Sequence, residues 1–225
     1  MLPVIPSFRS LVLATACLVA LVGCAGSVSP QIQRLPERVE LNGVPFYRGD
    51  LYQGAPQSLA ALLTLQGTVI TPGLLEKPLH LPGGEAKLQQ NMQTAAREYG
   101  LVVYPLDSRL DALLTQVGAG NPVLLRYTEG AAFWSGPRYA ILAGYDRQKQ
   151  TVLLRSGMNR RLSMSFSGFE SAFKDAGGWA VLLQRPTQLP ANVDSQRWLK
   201  AADELAGAGR EQAAARAIKA LDTAH

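Results

Sequence analysis

Thiols and imidazoles are nearly missing from this 225-residue chain: it has two cysteines and two histidines, and Cys17 and Cys24 both fall in the N-terminal apolar stretch. With Cys24 acylated and Cys17 removed, as argued below, the mature chain has no free thiol. That excludes an internal disulfide, a cysteine nucleophile and a thiolate metal site. The histidines are His80 and the terminal His225, and the carboxylate pairs Asp107/Asp111 and Asp203/Glu204 lack a histidine or cysteine beside them. These carboxylates read as caps and solvated faces, so neither metal nor cofactor is expected. Pro82-Gly83-Gly84 lacks the lysine and the strand–helix setting of a phosphate loop. A net charge of +5 and a pI near 9.4 raise the question of nucleic acid. The basic residues are dispersed, without aromatics interleaved, and no nucleic-acid partner is expected.

Long apolar runs are also scarce. The run Leu11–Val22, after a short leader carrying Arg9, is well under the roughly 20 residues that a membrane span needs. It ends in Leu21-Val22-Gly23-Cys24, small residues directly before a cysteine, which resembles a bacterial lipoprotein signal. The expectation is a signal peptide over 1–23, lipid on Cys24 and a flexible tether over 24–38 that contains Ser27, Ser29, Pro30 and Pro36. Ala25, where an aspartate would retain the protein in the inner membrane, predicts the periplasmic face of a Gram-negative outer membrane. A plain signal peptide and a membrane helix are the alternatives.

What the chain does have is a hydrophobic content of 47%, enough for a real core in one domain plus an appendage. Periodicity predicts helices over Gln57–Leu65, Thr71–Leu75, Leu88–Tyr99 and Leu110–Val117, the last capped by Asp107. Val39–Val44 has strand character, Leu79–Leu81 reads as a short extended piece, and Leu101–Tyr104 as a strand. The pattern then changes to short apolar runs rich in β-formers: Pro122–Tyr127, Tyr139–Tyr145, Thr151–Arg155 and Trp179–Leu183. A helix over Phe166–Asp175, capped by Ser165 or Ser167, interrupts them. Helices first and an antiparallel sheet second is the α+β order.

The stretch Val44–Leu63, VPFYRGDLYQGAPQSLAALL, passes from an extended segment through a polar turn into a buried helix. The free N–H groups and dipole at such a helix start lower the pKa of a thiol placed there. The stretch resembles the nucleophile region of the bacteriocin-processing (double-glycine leader) cysteine peptidases, with Pro45, Phe46, Tyr52, Pro56 and Leu59 matching. Trp134, Arg138-Tyr139-Ala140-Ile141 and Gly144-Tyr145-Asp146 continue the likeness, which runs from Val44 to Pro190 and implies a papain-like domain over 39–190.

The resemblance also shows what has been replaced. Gly54 stands at the place of the family's cysteine, Gly49 at that of the oxyanion-hole glutamine and Arg138 at that of the histidine. Where the orienting Asp or Asn would fall, the strand end offers Arg155 and Ser156. The resemblance implies a pseudopeptidase whose groove, lined by Tyr52, Gln53, Trp134, Arg138 and Tyr139, binds an extended peptide or an envelope or secreted protein. Arg138 has a second reading, as the partner of Asp50 or Asp146, and Trp134 a second reading as a packed aromatic. An alternative function is a hydrolase using Ser58 with His80 as base.

After Pro190 the composition turns alanine-rich. Residues 191–225, with Trp198, Ala202, Leu205, Ala213, Ala217 and Leu221, resemble one tetratricopeptide-type helix pair. Such a hairpin packs on the sheet domain or docks a partner, and in the second case the protein is a structural component of the envelope.

Overall fold

The computed structural model describes residues 29–130 and 136–224. The segment expected as a tether is folded from Ser29 onward. Pro30–Gln33 (α1) forms a helical turn with Ser29 accepting from the Ile32 N–H, and Ile32 is buried in the core. Arg38–Glu40 (β1) then pairs antiparallel with residues 144–146, so the strand expected over Val39–Val44 is shorter and starts a residue earlier.

A tight turn at Leu51–Gly54 leads into Ala55–Leu65 (α2), which is buried along most of its length. Pro72–Leu75 is a single 3-10 turn. Residues 79–81 are turn, not the extended piece expected, and Leu79 and Leu81 are buried within it. Leu88–Glu98 (α3) is the amphipathic helix read from the sequence, burying Leu88, Met92, Ala95 and Ala96. Val102–Pro105 (β2) and Leu110–Gly118 (α4) follow.

Asp107 does not cap α4. Arg109 occupies the cap position without a side-chain bond, and Asp107 pairs with Arg197 at 2.9 Å. Asp111, read as a solvated carboxylate, is mostly buried beneath Arg109, whose guanidinium holds its pKa below the usual range.

Val123–Glu129 (β3), Gly136–Asp146 (β4), Thr151–Ser156 (β5) and Asn159–Ser165 (β6) form a meander. Phe166–Asp175 (α5) begins at Ser165, whose hydroxyl accepts from the Gly168 N–H, and Ala180–Gln184 (β7) closes the sheet. The strand order is β2-β7-β3-β4-β5-β6, and β1 pairs with the C-terminal end of β4 beyond the stretch that β3 covers.

Both faces of this sheet are covered, which explains why β4 reads as one continuous apolar run where a half-solvated strand would alternate. Tyr139, Ile141 and Ala143 face a core shared with α2 and α3. Ala140 and Leu142 face a second core with α4 and α5. Ser195–Gly207 (α6) and Glu211–Asp222 (α7) form the C-terminal hairpin, and it packs into that second core. Trp198 is 0% exposed, stands 6.1 Å from the Tyr104 ring, and donates its indole N–H to the Ala217 carbonyl at 2.8 Å. Arg97–Glu204 and Arg197–Asp107 pairs tie the hairpin to the domain.

Candidate functional site

The turn that starts α2 is built from successive left-handed residues: Tyr52 at φ 52°, Gln53 at φ 61° and Gly54 at φ 77°. Only glycine adopts this region without cost, so Tyr52 and Gln53 hold strain of about 1 kcal/mol or more each. The turn brings the start of α2 onto β4. A Cβ added at Gly54 would lie 3.2 Å from the Tyr139 carbonyl oxygen, and the Ser58 hydroxyl, one helical turn on, donates to the same oxygen at 3.3 Å. Position 54 therefore stands beside the residue that follows Arg138.

Around this point the sequence-predicted residues separate by strand alternation. Arg138 is opposite Tyr127 in the β3–β4 ladder, and Tyr139 is opposite Arg126. Arg138 and Tyr127 thus project to one face, Tyr139 and Arg126 to the other. The Arg138 guanidinium lies between Glu129, which it contacts through Nε, and Asp50, 3.5 Å from Nη1. Asp50 was one of two expected partners. The other, Asp146, instead accepts from the Lys149 N–H at 2.9 Å.

Beneath this ion pair the Tyr127 and Ser156 hydroxyls are 3.0 Å apart. Burial pushes the Tyr127 phenol up to about 12, with the Ser156 hydrogen bond opposing and the Glu129 charge adding. Arg155 projects to the α2 side, is 4% exposed, and donates from Nη2 to the Leu41 carbonyl at 2.9 Å. Its Nε and Nη1 have no partner among the described residues, and burial lowers its pKa. Positions 155 and 156 are thus both buried, on opposite faces.

Gly49, where the resemblance puts the oxyanion-hole glutamine, lies in the loop before the turn that starts α2. Gly49 has φ 144°, its N–H donates to the Gly157 carbonyl at 3.1 Å, and the space beside it is taken by the side chain of Gln57 from the first turn of α2.

Of the expected groove residues, Gln53 and Tyr139 line one cleft, together with Arg126, Lys87 and Gln89. The Tyr139 ring meets Trp179 edge to face, 5.8 Å between centroids. Tyr52 packs against the core on the α2 side. Arg138 is held on the other face of the sheet, and Trp134 lies outside the described residues. Sequence reasoning passed over Glu129, Tyr127, Gln57 and Arg126. The only signal for the first two was strand alternation on either side of the hairpin, which requires the register to be known.

Chemically, Ser58 is 5% exposed and bonded to a carbonyl, and His80 is exposed in the turn after Leu79. Arg138 is engaged by Glu129 and Asp50, and Tyr127 keeps its proton through neutral pH. Among the described residues Ser58 has the Tyr139 carbonyl, and not His80, as its hydrogen-bond partner.

No family model matches this chain, and no curated protein matches it. Solved structures do. A C39-like peptidase from Bacillus anthracis is 18% identical, with a TM-score of 0.50 over 66% of this chain and 98% of that one. Xylellain, a cysteine protease from Xylella fastidiosa, is 10% identical, with a TM-score of 0.53 over 70% of this chain and 90% of that one. The likeness establishes the fold: helices packed on an antiparallel sheet in the papain-like, C39-like arrangement, followed in this chain by a helical hairpin.

Proposed function

We propose that this chain is a lipid-anchored envelope protein whose peptidase-like domain binds an extended peptide or protein segment and does not cut it. The observation that carries the reading is the pair of substitutions at one junction. Gly54 opens α2 against the Tyr139 carbonyl, where the resemblance puts a cysteine, and the neighbouring Arg138 is engaged by Glu129 and Asp50, where it puts a histidine. Cysteine peptidase chemistry needs a thiolate beside an imidazole. Losing members of such a unit costs many orders of magnitude in rate. The cleft beside the junction remains open, with Gln53 and Tyr139 on its wall.

Anchoring rests on the sequence alone, through Cys24, which lies outside the described residues. No helix among those described is long and apolar enough to cross a membrane. Replacing Cys24 by Ser is expected to release the protein from the outer-membrane fraction.

The test of the binding reading pairs a turnover assay with a binding assay on purified protein. Fluorogenic peptide libraries are expected to remain uncut while immobilised peptides retain the protein. Turnover above the rate of a Gly54→Arg control would end the inactive reading. Labelling of Ser58 by a fluorophosphonate would favour the hydrolase. Reinstalling Gly49→Gln, Gly54→Cys and Arg138→His together tests the overlay: a thiol alkylation rate that responds to the histidine's titration supports it, and a rate that does not respond means that residues 54 and 138 are not the family's pair.

A further inference from the structure

Two arginines flank the junction, on opposite faces of the sheet, and they differ in charge balance. Arg138, the cation that sequence reasoning placed in the groove, has two carboxylates against it. Arg126, opposite Tyr139 in the ladder, has no carboxylate partner among the described residues, and its Nε is buried without an acceptor. It lines an open cleft of about 500 Å³ with Gln53, Tyr139, Lys87, Gln89 and Gln90, a size within the range of ligand sites.

The one carboxylate on the lining, Glu85, accepts the Gly83 N–H at 2.9 Å and so serves its own turn. The first turn of α3, which forms one wall, carries no acidic residue, and its cap position, Lys87, makes no side-chain cap bond. An anion there meets the Arg126 guanidinium, the Lys87 ammonium and the positive end of a helix, against the single negative charge of Glu85. One of the helix's first-turn N–H groups, that of Gln89, already serves the Tyr139 hydroxyl.

We propose that this cleft is a carboxylate-recognition subsite of the groove, in which Arg126 takes the acidic group of a bound peptide and Lys87 assists from the rim. This rests on the peptide-binding reading above and names the chemistry of its ligand. Tyr139 borders the cleft with its ring buried edge to face against Trp179, which fixes that side of the subsite. A carboxylate reaches Arg126 either as the peptide's C-terminus or as an aspartate or glutamate side chain, and both satisfy a guanidinium fork.

The experiment titrates the full chain, solubilised in detergent, with three probes: N-acetyl-trialanine as free acid, the same peptide as amide, and N-acetyl-Ala-Asp-Ala amide. Affinity is read by calorimetry, and contact with Arg126 by the NMR shift of its Nε–H. At least one acidic probe is expected to bind about tenfold more tightly than the neutral amide, and which one does so identifies the source of the carboxylate. Arg126→Gln should remove that preference, Arg126→Lys should keep part of it, and Lys87→Gln, an exposed change, should reduce it several-fold. A thermal melt shows whether each variant is folded, and the Lys87 variant and the Nε–H shift carry the test if Arg126→Gln is not. Equal binding of all three probes, or a preference unchanged in Arg126→Gln, overturns the subsite while leaving the peptide-binding reading intact. Binding of none overturns both.

Discussion

The Nε2 atom of Gln57 lies 2.9 Å from the point a Cβ on Gly49 would occupy. A side chain from the first turn of α2 thus occupies the space beside the glycine in the loop before it, and its Oε1 is buried without a partner among the described residues. Gly49 and Gln57 are a coupled pair, and the coupling is measurable.

Gly49→Ala is expected to destabilise the fold by about 1–3 kcal/mol, because φ 144° suits glycine and the new methyl meets Gln57. In the Gln57→Ala background the collision is gone and only the backbone cost remains, so the penalty should be smaller. Urea midpoints for the four proteins of the cycle give the coupling, and a strictly additive result would show that Gln57 does not press on position 49.

Arg155 presents the opposite case, a buried cation with too few partners. Among the described residues only Nη2 is bonded, to the Leu41 carbonyl, while Nε and Nη1 have no partner. Desolvating a charge costs more than a single neutral acceptor returns. Arg155→Met is therefore expected to leave stability unchanged or raise it by up to about 2 kcal/mol, read as an increase in Tm. A loss of several kcal/mol would mean the arginine is better satisfied than its contacts indicate.

Alkaline pH should unfold the protein partly through Tyr127. Its phenol titrates near 12 in the fold and near 10 in the unfolded chain. Below pH 10 both states keep the proton, and the stability it contributes is fully present. Between pH 10 and about 12 the unfolded chain loses the proton first and that contribution is lost, up to about 3 kcal/mol. Burial raises Tyr104, Tyr139 and Tyr145 as well, and they add to the same slope. Tyr127→Phe should flatten part of the fall above pH 10, at a cost near neutrality of about 1 kcal/mol for the lost Ser156 hydrogen bond. Guanidinium midpoints from pH 8 to pH 11 test it, and an identical slope in the variant would refute the assignment.

The hairpin is structurally part of the domain. Trp198→Ala is expected to cost about 3–5 kcal/mol, and Trp198→Phe about 1–3, since the latter keeps most of the filling and strands the Ala217 carbonyl. Truncation after Pro190 should lower the Tm of the remaining domain, because Tyr104 and the core beside β2 lose their cover. An unchanged melt after truncation would make the hairpin an independent appendage.

Elements with strong local signals were legible from residues alone. The helix Phe166–Asp175 occurs as read, with Ser165 of the two serines offered as its cap, and the apolar strands agree to within a few residues. Strand β6, NRRLSMS, was not legible because as an edge strand it is polar and mostly exposed, and only Leu162 and Met164 turn toward the core. Asp107 looked like a helix cap because capping is a local rule, whereas its partner Arg197 lies 90 residues away in sequence.

The order of helices and strands, the scarcity of thiol and imidazole and the unusual residues at 49, 54 and 138 were set by the sequence itself, since each depends on composition or on neighbours a few positions apart. Which way each side chain points at the site was decided only by the tertiary structure. Strand register places Arg138 with Glu129 and Asp50 on one face of the sheet and leaves Arg126 uncompensated on the other. A shift of one residue would exchange those faces, and no local pattern specifies the register across a hairpin whose two sides are both buried.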